Sequence, residues 1–162
     1  SRGGATFVQV REKHLEHDEF LDEAKKVVAI CRAHGVKCVI NDAVDIAVES
    51  GADGVHVGQE DLEAGLARER LGPDRIIGVS AHNAEEARRA QAAGADYIGS
   101  GAAFATSTKE NASPIGPEGL RSVVEAVDIP VVAIGGITRE NISLRIRCRV
   151  RVRMFSMVQA PR

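Results

Sequence analysis

The sequence predicts an α/β fold in which repeated βα units surround a parallel sheet in a barrel-like arrangement. Three observations predict it. Short β-rich runs alternate with longer helical patterns over most of the chain, the order that parallel strands with helical crossovers require. Gly51-Ala52-Asp53-Gly54-Val55 is echoed by Gly94-Ala95-Asp96-Tyr97-Ile98, each joining a helix rich in Ala or Val to a short strand, and the echo continues through Val57-Gly58 and Ser100-Gly101. Repeats of this kind favour a barrel over an irregular domain. The candidate functional residues also fall just beyond strand ends, where a barrel gathers its catalytic loops. About six βα units can be counted, so eight do not fit comfortably and the barrel is expected to be truncated or irregular.

The elements follow in order. Thr6 to Val10 is a β-branched and aromatic run and reads as a strand, Glu19 to Ala33 as a helix, and Val36 to Ile40 as the next strand. Val44 to Glu49 has room only for a short helix before the strand Gly54 to Val57. Helical signals cover Leu62 to Arg70, Ala84 to Ala93 and Leu120 to Val127, and strands fall at Arg75 to Val79, Tyr97 to Ile98 and Ile129 to Ile134. Residues 1–141 are expected to form one barrel-like catalytic domain, with 142–162 a separate basic segment.

Composition narrows the classes. The 162 residues are 44% apolar with a formal net charge of −2, which suits one globular domain and gives no global attraction to nucleic acid or an anionic membrane. No long apolar run can cross a bilayer, and Ser1-Arg2-Gly3-Gly4 does not begin a secretory leader. Cys31, Cys38 and Cys148 are too few and too scattered for a disulfide framework or a thiolate metal site, which fits a cytoplasmic location.

The chemistry-bearing residues form several groups. Gln9, Arg11 and Lys13 alternate with Val8, Val10 and Glu12, so they share a face if the strand geometry continues past Val10. Arg11 offers a planar fork and Lys13 a mobile point charge for phosphate oxygens. Asp42 and Asp61 follow successive strands and supply the hard oxygen donors that Mg²⁺ shares with substrate phosphate; the bland alternative is that each caps the helix after it. Asn41 is a polar orienter beside Asp42. Ser80 ends a strand as a hydrogen-bond donor. His56 and His82 lack the partners of a zinc motif, and His82 is placed to cap or flank the helix near Ala84. Thr106-Ser107-Thr108-Lys109 lacks the spacing of a P-loop, but its hydroxyls and cation suit an anionic group or a departing diphosphate. Gly135-Gly136, after the last strand, suits a phosphate nest.

In ordered combination, TFVQVREK, VIND, GADGVHVGQEDL, IIGVSAHNAEEA, GADYIGSGAAFATSTK and IPVVAIGGITREN resemble the thiamine-phosphate synthase family, over most of residues 5 to 141. The resemblance implies a TIM barrel that joins hydroxymethylpyrimidine diphosphate to thiazole phosphate, giving thiamine phosphate and diphosphate. It implies that Gln9, Arg11, Lys13 and Asn41 surround the pyrimidine diphosphate and that Asp42 and Asp61 hold Mg²⁺. Ser80 and Lys109 would attend the leaving diphosphate, while Thr106, Thr108 and Gly136 would hold the thiazole phosphate. Arg11, Lys13 and Lys109 are then the catalytic cations, favouring ionisation toward a pyrimidine-methyl cation that the thiazole nitrogen attacks.

Compared with that family, the chain lacks the usual first βα unit and the normal final strand. In its place, Leu144, Ile146, Cys148, Val150, Val152 and Met154 alternate with Arg145, Arg147, Arg149, Arg151 and Arg153, the pattern of an edge strand with one apolar and one cationic face. A homo-oligomer is a second way to cover an open sheet edge. Two other functions remain open. One is a related thiazole tautomerase-like enzyme, in which His82 would transfer the proton; the other is a non-catalytic phosphate- or thiazole-binding module.

Overall fold

Strand pairing is parallel throughout the described residues, as the alternation of β and α signals predicts. The computed structural model describes residues 5–59, 61–101, 103, 114–138 and 155–158. These fall into two units. The first holds β1 (Phe7–Val10), α1 (His17–Ala33), β2 (Lys37–Asn41), α2 (Val44–Glu49), β3 (Gly54–Val57), most of α3 (Asp61–Leu71) and the start of β4 (Ile76–Ala81). The second holds the rest of β4, then α4 (Ala84–Ala92), β5 (Tyr97–Ser100), α5 (Gly116–Ala126) and β6 (Val131–Ala133). A last strand, β7 (Phe155–Val158), belongs to the first unit. The fold class is therefore α/β, a shortened TIM-barrel-like succession of βα units.

In the first unit the strands lie in the order β7-β1-β2-β3. Val8 sits opposite Cys38 and Val10 opposite Ile40, all buried, because parallel strands covered on both faces need near-continuous apolar runs. Phe20, Ala24, Val28 and Cys31 are buried along α1. Their spacing gives one stripe on a 3.6-residue helix, and each fully buried large side chain contributes about 1.5–3 kcal/mol. In the second unit β5 lies between β4 and β6, with Gly78 opposite Tyr97 and Ile98 opposite Val131. A Cβ at Gly78 would collide with the buried Tyr97 ring, so the glycine is what lets the aromatic lie across its neighbouring strand.

The Gly-Ala-Asp echo has a structural cause. Gly51 (φ +68) and Gly94 (φ +91) each occupy the left-handed position just past a helix. Around them, Gly51 N–H donates to Val48 O and Ala52 N–H to Ala47 O; Gly94 N–H donates to Gln91 O and Ala95 N–H to Ala90 O. This is the Schellman pattern, which satisfies the last carbonyls of a helix and tucks the next apolar residue inward. Ala52 and Ala95 are both buried. The Asp of the first copy then ties strand to strand: Asp53 Oδ2 accepts from Cys38 N–H at 2.9 Å and Oδ1 from Lys37 Nζ at 2.6 Å.

Several boundaries differ from the sequence expectation. α5 begins at Gly116, four residues before the expected Leu120, with Pro117 in its first turn, where a missing N–H costs nothing. β4 continues through Ser80 to Ala81, and β5 through Gly99 to Ser100, because pairing with neighbours outweighs weak local β-propensity. β1 stops at Val10 and residues 13–15 bend, with Glu12 Oε1 accepting from Lys13 N–H at 2.6 Å and His14 N–H at 2.9 Å. The strand geometry expected to carry Arg11 and Lys13 therefore ends before them. In the C-terminal segment a strand forms at Phe155–Val158 beside β1; the alternating run Leu144 to Met154 lies outside the described residues.

Candidate active site

In the first unit the candidate residues lie in or just after β1 and β2. Gln9 is 2% exposed, and its Nε2 finds no hydrogen-bond partner. An amide donor left unmet in a core costs about 1–3 kcal/mol, and no acceptor for it stands among the described residues. Arg11 is half-buried and Lys13 exposed. Neither side chain makes an ion pair or hydrogen bond among the described residues.

Asp42 is the non-glycine residue held at a left-handed φ, +63°, among the described residues. Asp tolerates this conformation better than most residues, yet it persists only where the surroundings over-determine it. Asp42 N–H donates to the carbonyl of buried His56 at 2.8 Å, Ala43 N–H donates to Asn41 O at 2.8 Å, and Asn41 Nδ2 donates to Asp42 Oδ2 at 2.6 Å. The result is an exposed carboxylate at the end of β2 with Asn41 as its orienter. The N-cap of α2 is Ala43, without a side-chain cap bond, so Asp42 does not serve as the helix cap that the bland alternative requires. His56 is buried in β3, one residue before its end.

In the second unit Asp61 opens α3; its side chain lies outside the described set. Gln59, on the connection from β3, reaches β4: Nε2 donates to Ser80 O at 2.7 Å and lies 3.4 Å from His82 Nδ1. Asn83, not His82, is the N-cap of α4, accepting from Glu86 N–H at 2.9 Å. Glu86 in turn gathers donors: His82 N–H at 2.7 Å, Asn83 Nδ2 at 2.8 Å and His82 Nδ1 at 3.3 Å. Partial burial pushes the Glu86 carboxyl upward, but the bonds from His82, the nearby Gln59 amide and the His82 charge outweigh it and hold the group below the usual range. The His82 ring remains half-exposed.

Thr106, Ser107, Thr108 and Lys109 lie outside the described residues. Gly135 (φ +89) and Gly136 (φ +65) follow β6 in a left-handed turn, the backbone for which a glycine pair is needed. Among the described residues no group of three His, Cys, Asp or Glu is placed to hold a metal. That does not oppose Mg²⁺, which is commonly held by one or two carboxylates with the remaining positions taken by water and substrate phosphate. The exposed Asp42 carboxylate, with one oxygen engaged by Asn41 and none capping a helix, fits such a role. Sequence reasoning overlooked Glu86, although Asn83-x-x-Glu86 carries the spacing of a capping box. Nothing local marks the Gln59 bond to Ser80, formed across 21 residues.

The family model for thiamine monophosphate synthase matches residues 1–160. The chain is 57% identical over 139 residues to the thiamine biosynthetic bifunctional enzyme TH1, chloroplastic, of Arabidopsis thaliana, covering 86% of this chain and 27% of that protein. It is 51% identical over 140 residues to the thiamine-phosphate synthase of Caldanaerobacter subterraneus, covering 86% of this chain and 65% of the relative. It therefore spans less than two thirds of the length of these relatives. A solved thiamine phosphate pyrophosphorylase from Pyrococcus furiosus superposes with a TM-score of 0.84 at 39% identity, over 97% of this chain and 74% of that one. Match over nearly the whole sequence, together with the same βα succession, establishes that the chain belongs to the thiamine monophosphate synthase family.

Proposed function

We propose that the protein couples hydroxymethylpyrimidine diphosphate to thiazole phosphate, forming thiamine phosphate and releasing diphosphate. The observation that carries this reading is the end of β1, where the buried Gln9 amide lacks an acceptor and two cations without a partner among the described residues, Arg11 and Lys13, follow it. A core donor next to such cations suits a ligand with a polar heterocycle at one end and a diphosphate at the other. Gln9 and Asn41 bind and orient the pyrimidine, and Arg11 and Lys13 neutralise the diphosphate. Ser80 and Lys109 attend the same leaving group, while Thr106, Thr108 and Gly136 hold the thiazole phosphate. Asp42 and Asp61 would hold Mg²⁺, which when bound supplies Lewis-acid stabilisation of the departing diphosphate. The cations lower the barrier by meeting charge that grows as the carbon–oxygen bond breaks, and no side-chain nucleophile is needed.

Further parts of the same proposal are a cytoplasmic enzyme, a catalytic domain over residues 1–141 with the basic segment 142–162 beside it, and assembly as a homo-oligomer. No helix among the described residues is long and apolar enough to cross a membrane. The half-exposed His82 ring beside Glu86 favours a second reading, a thiazole tautomerase-like enzyme with His82 as the proton carrier. Incubating the purified chain with both substrates, with and without Mg²⁺, separates the readings. Mg²⁺-dependent thiamine phosphate supports the synthase, and tautomer conversion without coupling supports the second reading. Saturable binding with no product at any Mg²⁺ concentration overturns both in favour of a binding module.

A further inference from the structure

We infer that Gln59 is a positioning residue for the diphosphate end of the site, acting through the backbone of Ser80. The inference rests on the synthase reading for the identity of the ligand. Gln59 leaves β3 two residues before Asp61, and its amide crosses to β4 to donate to the Ser80 carbonyl at 2.7 Å. Ser80 is the last residue but one of β4, and Ala81 pairs with Ser100 of β5, so one side of this strand end is held by the sheet. The turn beyond it has no such ladder. There the Glu86 carboxylate receives His82 N–H and Asn83 Nδ2, and the Gln59 amide nitrogen lies 3.4 Å from the His82 ring Nδ1. Glu86 is anchored on α4, whose first turn it also closes through Asn83. A rigid helix thus holds a carboxylate, the carboxylate holds the His82 turn beside Gln59, and Gln59 holds the backbone carrying the Ser80 hydroxyl.

A bare cap would not need Gln59. Asn83 and Glu86 already satisfy the start of α4 between them. The additional bond joins the segment leading to Asp61 with the strand carrying Ser80, two positions that the proposed reaction uses on one leaving group. Fixing such groups before the ligand arrives lowers the ordering cost of binding it.

The test uses Gln59→Leu and Gln59→Glu, the second keeping the side-chain length while replacing the N–H donor by oxygen. The expected result is a rise of about tenfold in KM for the pyrimidine diphosphate, with the KM for thiazole phosphate and the melting temperature little changed. The affinity for inorganic diphosphate in the presence of Mg²⁺ falls by a similar factor, and Glu86→Gln gives a smaller shift in the same direction. Unchanged diphosphate affinity in either folded Gln59 variant overturns the inference. So does a parallel rise in both KM values with a lowered melting temperature, which is the signature of a merely structural contact. If the wild-type chain binds diphosphate but forms no thiamine phosphate, the synthase reading fails and the inorganic diphosphate measurement alone decides the role of Gln59. A wild-type chain that does not bind diphosphate overturns the inference as well.

Discussion

Asp42 is the residue where sequence and conformation argue most directly for function. Its carboxylate stands exposed on a left-handed backbone that the His56 carbonyl and Asn41 hold in place. Asp42→Asn keeps the tolerance for that backbone and removes the charge, so the variant is expected to fold normally while Mg²⁺-dependent coupling falls about 10²-fold, the scale of a lost electrostatic contact in a transition state. Matched spectra and initial rates check this, and unchanged coupling in a folded Asp42→Asn/Asp61→Asn protein would remove the metal assignment. Lys109→Ala is expected to lower coupling independently. Gly78 gives a purely structural contrast. Its Cβ space is filled by the Tyr97 ring, so Gly78→Ala is expected to destabilise by about 1–3 kcal/mol through overpacking, read as a lower denaturation midpoint. Asp42 was legible because a carboxylate after a strand is a chemical signal in itself. The Gly78 requirement was not, since it depends on a ring carried by the next strand.

At the scale of elements, the two Schellman turns show why the internal echo was readable. A glycine at the left-handed position and a buried alanine after it leave the same letters each time a helix hands over to a strand. Gly51→Ala and Gly94→Ala are each expected to cost about 1–2 kcal/mol, measured by denaturant unfolding; no loss in either would contradict the helix-stop account. The start of α5 was harder to see because Gly116, Pro117 and Gly119 depress helical propensity where burial of Leu120 and Val123 supplies the drive. The α4 cap also predicts a pH dependence. The Glu86 carboxyl is held below its unfolded value, so it contributes stability above the unfolded pKa of about 4.3 and loses it as pH falls through the folded pKa. The stability gap between wild type and Glu86→Gln is therefore expected to be full near neutrality and to close below about pH 4. A gap independent of pH would show that the carboxylate charge is not what the turn uses.

For the whole molecule, the parallel βα succession was legible because hydrophobic period and turn residues recur along the chain. The candidate site was read one strand end at a time: Gln9, Asn41, Asp42 and Ser80 could each be proposed from their place after or near a strand. What joins such positions, as Gln59 joins Ser80, comes from contacts distant in sequence that no local pattern encodes. Family membership extends over residues 1–160, whereas the chain spans 27% and 65% of the two relatives compared with it, so catalysis by this chain is the claim that most needs direct measurement. The measurement is a coupling assay that counts thiamine phosphate and diphosphate in the same samples, first with Mg²⁺, then after its chelation, then after its return. The two products are predicted to appear one for one, to stop on chelation and to resume when Mg²⁺ is restored. Diphosphate released without thiamine phosphate, or neither product while both substrates bind to saturation, would contradict the account.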